Sequence, residues 1–184
     1  MSPWTTKLDS RLYFTSLLKE ENAFKRDELQ KKLSLELCLF LKNQTGVWGG
    51  YKALLWEADV QQAILESSHL QWVFPRIQGD ELNFYKSQKF EKSALGFYEP
   101  VLLGAEFVHR DEIAGFLVPG LAFNAKGVRL GRGKGYYDRL LQNYNGKKVG
   151  VGYSNQFWSG ELPSELHDIN MNYVITNEQI LLCS

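Results

Sequence analysis

The segment GVRLGRGKGYYDRLL, residues 127–141, contains the residue types that bind phosphate groups. Its glycines occupy alternate positions, with one arginine and one lysine between them: Gly131, Arg132, Gly133, Lys134 and Gly135. Glycine permits positive φ and lets backbone N–H groups approach an anion closely. A strand-like run precedes the glycines and a helix-like run follows them, so a helix N-terminus would add donors and partial positive charge. Because arginine and lysine add charge-assisted hydrogen bonds, the segment predicts a phosphate cradle.

The spacing of this segment differs from two common phosphate-binding patterns. Its Gly-Lys pair is not followed by Ser or Thr and lacks the upstream glycine of a Walker A sequence. Its glycines follow G-x-G-x-G and not the G-x-G-x-x-G of dinucleotide-binding folds. On spacing alone, a flexible turn with solvent-facing charges stays an alternative to the phosphate cradle.

Charge is balanced over the chain but is unevenly distributed along it. The 184 residues hold 21 Lys and Arg and 21 Asp and Glu, so the formal net charge is zero. This balance argues against a protein that coats nucleic acid, and it makes an RNA-binding role for the RGKGYY patch the least favoured interpretation. Residues 126–139 nevertheless carry five basic residues against one acidic, whereas residues 149–184 carry four acidic residues and no Lys or Arg. The basic segment contains the predicted cradle.

The sequence has no feature of a secreted or membrane protein. Cys38 and Cys183 lie too far apart to suggest a zinc site or a disulfide framework. The first residues, MSPWTTKLDSRLYF, lack the apolar core of a signal peptide. No run approaches the roughly 20 apolar residues that span a bilayer. We therefore expect a cytoplasmic protein without a membrane partner.

Helical spacing dominates the N-terminal part, at about residues 5–43. Leu29, Leu33, Leu37 and Leu41 recur every four residues, which predicts one buried helix face. Leu8, Leu12 and Leu18 are expected to line the buried face of the preceding turns. Asn43 and Gly46 are suitable stop signals.

After this segment, strand-like and helix-like stretches alternate. A short helix is expected at 58–67 and another after the glycines, and Pro75 indicates a strand end or an edge. The predicted strands or apolar runs lie at 47–55, 70–77, 81–85, 115–123, 147–153 and 172–176. This alternation predicts an α/β fold of three layers, α/β/α, with a mostly parallel central sheet. We expect residues 1–184 to form one domain.

The stretch GLAFNAKGVRLGRGKGYYDRLL closely resembles the signature of the 5-formyltetrahydrofolate cyclo-ligase family, also called methenyltetrahydrofolate synthetases. Three further stretches resemble family elements: WVFPRIQGDELNFY, GFYEP, and VGVGYSNQ followed by LPSELHDINMNYVIT. Near the N-terminus, Lys7 and Arg11 match a Lys-xxx-Arg spacing, and Tyr51 precedes Glu57 by six residues as in the family. The glycine-rich stretch is the most specific part of the resemblance.

The chain also departs from the family pattern. Asn124 stands where the family usually has Asp, Ser10 replaces a Leu, and Val60 replaces a Thr. Lys52 stands where an apolar substrate contact is expected, and Gly49 and Gly50 are unusual in their predicted strand. These changes leave the phosphate-binding residues intact but alter the side of the site that would hold the pterin.

The resemblance implies a reaction in which 5-formyltetrahydrofolate and ATP give 5,10-methenyltetrahydrofolate, ADP and phosphate, with Mg²⁺ as cofactor. Phosphorylation of the formyl oxygen makes it a leaving group when N10 attacks the formyl carbon. Such a transfer depends on positioned cations and a metal more than on a side-chain nucleophile. It also implies small-molecule substrates, no nucleic-acid partner and a monomer.

The same resemblance assigns roles to individual residues. The implied ATP-binding residues are Lys7, Arg11, Arg129, Leu130, Gly131, Arg132, Gly133, Lys134, Gly135, Tyr136 and Tyr137. The implied substrate-binding residues are Lys52, Glu57, Arg132, Gly133, Lys134, Gly135 and Tyr136. Arg132, Lys134 and Tyr136 would be catalytic, and Asp138 and Asp168 would bind Mg²⁺.

Several of these residues have simpler interpretations. Lys7 and Arg11, one turn apart, also suit a solvated helix face. Asp138 suits a helix N-terminus, and Asp168 suits a loop cap. Tyr153 and Trp158 suit a folate pocket or, by default, the core. Two other functions also stay open: a non-catalytic nucleotide- or folate-binding relative, and a phosphosugar enzyme on a similar scaffold.

Overall fold

The computed structural model describes residues 4, 6–20, 22–93 and 96–183. Its helices are α1 Lys7–Glu20, α2 Ala23–Leu41, α3 Gln61–Glu66 and α4 Tyr136–Leu141, with 3-10 turns at Arg110–Glu112 and Ser154–Gln156. Its strands are β1 Val47–Gly49, β2 Gln71–Gln78, β3 Glu81–Lys86, β4 Phe90–Lys92, β5 Tyr98–Pro100, β6 Glu106–Val108, β7 Ile113–Pro119, β8 Ala122–Asn124, β9 Arg129–Leu130, β10 Lys147–Val151, β11 Phe157–Trp158, β12 Tyr173–Ile175 and β13 Ile180–Leu182.

An eight-stranded sheet organises the fold, in the order β13-β12-β10-β7-β1-β2-β3-β6. Its central strands, from β12 to β2, pair in parallel, and β13, β3 and β6 add antiparallel edges. Smaller sheets, β11-β8-β9 and β4-β5, lie outside it. The mostly parallel central sheet confirms the predicted α/β class.

Alternating side chains of β7 build a core on each face of this sheet. Leu117 packs with the α2 leucines in one cluster, whereas Phe116 and Val118 pack with Leu141 of α4 in the other. Successive side chains of a strand point to opposite faces, so a strand buried on both faces is a continuous apolar run. Helices therefore cover both faces of the sheet, as the three-layer prediction required.

The N-terminal segment is helical, as predicted, but it forms two helices. Asn22 caps α2 by accepting a hydrogen bond from the Lys25 N–H, which explains why a new helix begins there. Residues 5 and 21, which fall within the predicted segment, lie outside the described residues. No described helix combines the length and apolar character needed to cross a membrane.

The prediction for the buried face of α1 was right for Leu18 but wrong for Leu8 and Leu12. Leu8 and Leu12 are exposed, and α1 buries Ser10, Phe14 and Leu18. Buried positions four residues apart form one stripe of a helix, and a position two residues away lies about 200° around it. The α2 prediction was right: Leu33, Leu37 and Leu41 are fully buried and Leu29 packs against them.

The predicted strand at 47–55 was too long, because only β1 is regular. Gly49 passes so close to Phe116 that an added Cβ would lie 2.2 Å from the ring, which explains a glycine within a strand. After Gly49 the chain leaves the sheet and residues 51–57 follow its edge. The helix expected at 58–67 is present in shorter form as α3.

Pro75 lies inside β2 and not at its end. Pro75 pairs with Phe84 of β3 on one side. On the other side, the pairing of β2 with β1 ends at Val73, two residues earlier. One side of β2 at Pro75 is therefore without β1, so the proline occupies a local edge, as a residue without an N–H requires.

Two leucines of α2 provide a matched test of this packing. Leu37 is fully buried, whereas Leu39 is 63% exposed on the same helix. We expect Leu37→Ala to lower the free energy of unfolding by about 2–5 kcal/mol, because it leaves a cavity in the core. Leu39→Ala is the control and should change it by less than about 0.5 kcal/mol. Urea denaturation measures both, and equal losses would contradict the assignment of the buried face.

Candidate active site

A cavity of about 270 Å³ lies where the central parallel strands end. Tyr51 and Lys52, just after β1, and Pro119 and Gly120, at the end of β7, line it. In open α/β sheets, ligands bind in crevices outside the carboxyl ends of the strands. The cavity therefore occupies the position expected for a binding site in this fold.

The glycine-rich loop connects β9 to α4 and forms one wall of the cavity. Gly133 and Gly135 have φ values of +96° and +69°, which side-chain-bearing residues rarely adopt. The predicted cradle residues that line the cavity are Arg129, Gly131, Arg132, Gly133, Lys134, Gly135, Tyr136 and Tyr137. The helix that follows has only six residues.

Leu130 is the exception among the predicted ATP-binding residues. Its side chain is fully buried with Leu121 and Leu162, and it does not line the cavity. Its carbonyl accepts a hydrogen bond of 2.7 Å from the Leu121 N–H. Successive side chains of a strand point in opposite directions. Arg129 of β9 therefore lines the cavity, whereas Leu130 packs in the core and anchors the start of the glycine-rich loop.

Helix α1 brings Lys7 and Arg11 to the same cavity. These two residues therefore do not form a purely solvated helix face, which was the alternative interpretation. The Arg11 Nε donates a 3.0 Å hydrogen bond to the Gly131 carbonyl. Its guanidinium carbon would lie 3.3 Å from a Cβ at Gly133, so the glycine makes this close approach possible. Arg11 therefore both lines the site and holds the glycine-rich loop against α1.

Three ion pairs connect elements around the cavity. Lys7 Nζ lies 2.6 Å from Asp168 Oδ2, and Arg129 Nη2 donates 3.0 Å hydrogen bonds to both oxygens of Asp138. Arg132 Nε donates to Glu57 Oε1 at 3.0 Å. These pairs neutralise three of the predicted phosphate-binding cations with carboxylates of the same site: Lys7 with Asp168, Arg129 with Asp138, and Arg132 with Glu57.

Two of the cations at the glycine-rich loop have no such partner among the described residues. Among the described residues, neither Arg11 nor Lys134 forms an ion pair with a carboxylate, although both line the cavity. Their charges reinforce one another across the glycine-rich loop, and charge-assisted hydrogen bonds to phosphate are stronger than those between neutral groups. The structure thus has a surplus of positive charge where the sequence predicts phosphate.

The predicted metal ligands, Asp138 and Asp168, both line the cavity. Glu165 and His167, which the sequence prediction missed, lie beside Asp168, with one potential ligand atom of each of these three within 4.8 Å of the others. Carboxylate oxygens suit Mg²⁺, whereas an imidazole nitrogen does not, so the donor set fits Mg²⁺ through its carboxylates. The sequence signal for this cluster was the close spacing of Glu165, His167 and Asp168 in the segment ELHD.

Partial burial acts to raise the pKa of Asp168, but other groups outweigh it. Hydrogen bonds from Lys7 and the Glu165 N–H, together with the positive charges of Lys7 and His167, hold the pKa of Asp168 below its ordinary value. The carboxylate is therefore ionised at neutral pH, as both an ion pair and a metal ligand require.

Lys52 and Glu57 also line the cavity, and Glu57 contacts the glycine-rich loop through Arg132. The Lys52 ammonium lies 4.4 Å from the centre of the Phe90 ring and 5.1 Å from that of Phe74, and it donates a hydrogen bond to Gln61. Burial lowers the pKa of Lys52, and the nearby Asp59 carboxylate offsets part of that effect. This departure from the family pattern places a cation against aromatic faces.

The other three departures lie away from the cavity lining. Asn124 accepts hydrogen bonds from the N–H groups of Lys126 and Val128 and donates one to the Gly160 carbonyl. Ser10 is buried and donates to the Lys7 carbonyl, while Val60 is buried in the core. Tyr153 and Trp158 also pack in the core and do not line the cavity, as the default interpretation holds.

A model of the 5-formyltetrahydrofolate cyclo-ligase family matches residues 58–177, which is more than half of the chain. The chain belongs to the 5-formyltetrahydrofolate cyclo-ligase family. The matched residues include the glycine-rich loop and both predicted metal ligands. They also include β2, β3, β6, β7, β10 and β12 of the eight-stranded sheet, but not β1.

Named members of this family resemble parts of the chain. The 5-formyltetrahydrofolate cyclo-ligase of Escherichia coli K12 is 33% identical over 101 residues, which cover 54% of this chain and 56% of that protein. That of Mycolicibacterium smegmatis is 37% identical over 79 residues, covering 42% of this chain and 39% of its own length. The matching part of the chain thus spans about half, or less, of the length of these curated relatives.

A solved structure extends the likeness to almost the whole chain. The NMR structure of Aquifex aeolicus 5,10-methenyltetrahydrofolate synthetase superimposes with a TM-score of 0.83 and 29% identity, covering 97% of this chain and 93% of that one. A Mycoplasma pneumoniae 5,10-methenyltetrahydrofolate synthetase has a TM-score of 0.76 at 22% identity, which shows a shared fold.

Two ion pairs of equal length provide a test of how the cavity is held together. Lys7–Asp168 and Lys126–Glu161 both measure 2.6 Å, but the first pair is largely shielded, with side chains 14% and 10% exposed, whereas the second is 63% and 75% exposed. We expect a double-mutant cycle with Lys7→Met and Asp168→Asn to give a coupling of about 1–3 kcal/mol. The cycle with Lys126→Met and Glu161→Gln should give less than about 0.5 kcal/mol. Urea denaturation supplies the values, and equal couplings would show that burial contributes nothing.

Proposed function

We propose that this protein cyclises 5-formyltetrahydrofolate to 5,10-methenyltetrahydrofolate, with conversion of ATP to ADP and phosphate. One observation carries the proposal: the glycine-rich loop of the family signature lines a cavity in which Arg11 and Lys134 form no ion pair with a carboxylate of the described residues. Family membership and the likeness to the Aquifex aeolicus synthetase support the same reaction. The partners are small molecules, and the protein acts as a cytoplasmic monomer in this proposal.

The chemistry explains why the cavity is rich in cations. The formyl oxygen of the substrate is a poor leaving group, so N10 cannot displace it directly. Transfer of the γ-phosphoryl group to this oxygen gives an iminophosphate, and attack of N10 on the formyl carbon then expels inorganic phosphate. Catalysis of such a transfer consists mainly of positioning and of stabilising negative charge.

Lys134 and Arg132 are the side chains that we assign to the transferred phosphoryl group. Lys134 lines the cavity and has no described carboxylate partner, so its charge is available to phosphate oxygens. Arg132 is held by Glu57, which lies in the segment between β1 and α3. Tyr136, the first residue of α4 and next to Gly135, lines the same cavity and is assigned to the folate side of the transfer.

Asp138 and Asp168 are the residues that would hold Mg²⁺. Bound Mg²⁺ neutralises negative charge on the phosphate oxygens and helps to align them. Lys7 and Arg129 pair with these carboxylates and restrict their orientation, and Lys7 also helps to lower the pKa of Asp168. Burial and the nearby Glu57 carboxylate raise the pKa of Tyr137, and Arg129 offsets part of this effect. The Tyr137 hydroxyl therefore stays protonated and is a hydrogen-bond donor at the site.

The activity itself is tested with purified protein, ATP, Mg²⁺ and 5-formyltetrahydrofolate. We expect methenyltetrahydrofolate absorbance to appear together with stoichiometric ADP. Nucleotide binding without any product would favour the non-catalytic relative, and tight binding of a phosphosugar would favour the phosphosugar enzyme. Either result would overturn the proposal.

The roles of the loop cations can be separated from the stability of the protein. We expect Lys134→Ala and Arg132→Ala each to lower kcat/KM at least about tenfold, or roughly 1.4 kcal/mol of transition-state stabilisation, with little change in thermal midpoint. Lys126→Ala is the matched control, because Lys126 pairs with Glu161 and does not line the cavity. Wild-type turnover in both loop variants would refute their assignment.

A further inference from the structure

Glu99 of β5 is a buried carboxylate that lines the same cavity. Its side chain belongs to a residue that is only 6% exposed, and Oε1 accepts a 3.1 Å hydrogen bond from the Ile77 N–H. Among the described residues, this N–H is its only hydrogen-bond donor. The other oxygen, Oε2, accepts no hydrogen bond from the described residues and is not fully sealed from solvent, and Glu99 is one of the residues that line the cavity.

A structural role does not account for the charge of Glu99. Any neutral acceptor would satisfy the Ile77 N–H, and burial of an unpaired carboxylate is unfavourable. Glu91 lies directly opposite Glu99 on β4, and its carboxylate is 52% exposed and paired with Arg76 at 2.7 Å. Arg76 thus forms an ion pair with the exposed Glu91. The buried Glu99 has no cationic partner among the described residues.

Glu57, the acid that the family resemblance assigns to the substrate, is already partnered. Its Oε1 accepts from Arg132 and its Oε2 accepts from the Leu54 N–H. Both oxygens are therefore oriented by the protein, and the charge is neutralised by a guanidinium. Glu99 differs, because it presents an oxygen and a negative charge that the protein does not satisfy.

The wall around Glu99 suits a flat and largely apolar ring system. The apolar and aromatic residues that line this part of the cavity are Pro75, Ile77, Leu82, Phe97 and Tyr98. Binding sites of this kind combine apolar walls with a few polar groups that fix the orientation of the ligand. A carboxylate among such residues selects a heterocycle with N–H donors at its edge.

We infer that Glu99 is a substrate-binding residue that accepts hydrogen bonds from the amino and ring N–H groups of the folate heterocycle. This inference rests on the proposed function and adds a residue to it. The heterocycle would lie against the apolar wall with its donor edge toward Glu99. Its formyl group would face the glycine-rich loop, where the phosphoryl group is transferred.

Glu99→Gln tests this role without removing the structural bond. The amide oxygen of Gln still accepts from the Ile77 N–H, but an NH₂ donor replaces the free acceptor. We expect the Kd and the KM for 5-formyltetrahydrofolate to rise at least about tenfold, because a hydrogen bond to a charged group is lost and two donors then face each other. The Kd for MgATP, measured by calorimetry, should stay within about twofold of wild type.

Glu91→Gln is the matched control, because this acid lies opposite Glu99 on the neighbouring strand but does not line the cavity. It should bind 5-formyltetrahydrofolate as the wild type does. An unchanged Kd in Glu99→Gln would overturn the inference, and so would equal weakening of folate and MgATP. A wild-type protein that neither binds nor cyclises 5-formyltetrahydrofolate would instead overturn the proposed function itself.

A substrate analogue without the exocyclic amino group provides a second route, which is available even if Glu99→Gln does not fold. Wild type should bind the analogue at least about tenfold more weakly than 5-formyltetrahydrofolate, and Glu57→Gln should retain this discrimination. Loss of the discrimination in Glu57→Gln would identify Glu57 as the residue that reads the amino group. That result would overturn the inference for Glu99.

Discussion

The ion pair between Lys7 and Asp168 joins residues that are 161 positions apart, and the geometry of the cavity depends on it. It attaches α1 to the loop after β11, while Arg11, one turn further along α1, holds the glycine-rich loop through the Gly131 carbonyl. The parallel sheet contributes to the cavity only the residues at the ends of its strands. The helix that precedes the sheet in sequence closes the cavity over those ends, so a cation and a carboxylate from opposite ends of the chain fix the shape of one site.

Charge compensation within the cavity then determines which groups are available to ligands. Lys7, Arg129 and Arg132 each have a carboxylate partner, whereas Arg11 and Lys134 have none within the part of the chain that the structure describes. On the opposite wall, Glu99 is buried without a cationic partner among the described residues. The cavity therefore has a positive surplus at the glycine-rich loop and an uncompensated negative charge beside its apolar wall. An anion at one end and an N–H-rich heterocycle at the other complement this distribution, which is the polarity of a nucleotide phosphate beside a folate.

Much of this arrangement could be predicted from the sequence because it is encoded locally. The glycines and cations of residues 131–135 are adjacent, and the four-residue spacing of the α2 leucines indicates a helix face directly. The pairing of Arg132 with Glu57 joins residues 75 positions apart, and no spacing signals it. The exposed Leu8 and Leu12 misled the prediction, because in α1 the aromatic Phe14 and the small Ser10 determine the buried stripe. Strands of two or three residues, such as β9 and β11, are too short to show any periodicity.

Hydrogen bonding and core packing explain three departures from the family pattern, at Asn124, Ser10 and Val60. The fourth, Lys52, lies in the cavity. Asn124 donates to the Gly160 carbonyl, which a carboxylate cannot do, and the buried Ser10 satisfies its hydroxyl through the Lys7 carbonyl. Of Asn124, Ser10, Val60 and Lys52, only Lys52 lines the cavity, and its ammonium lies against the rings of Phe74 and Phe90. An ammonium held on aromatic faces keeps its charge at lower desolvation cost than in a purely apolar wall. The glycine-rich loop thus follows the family pattern, and the departure that reaches the cavity is Lys52, which lines it together with the buried Glu99.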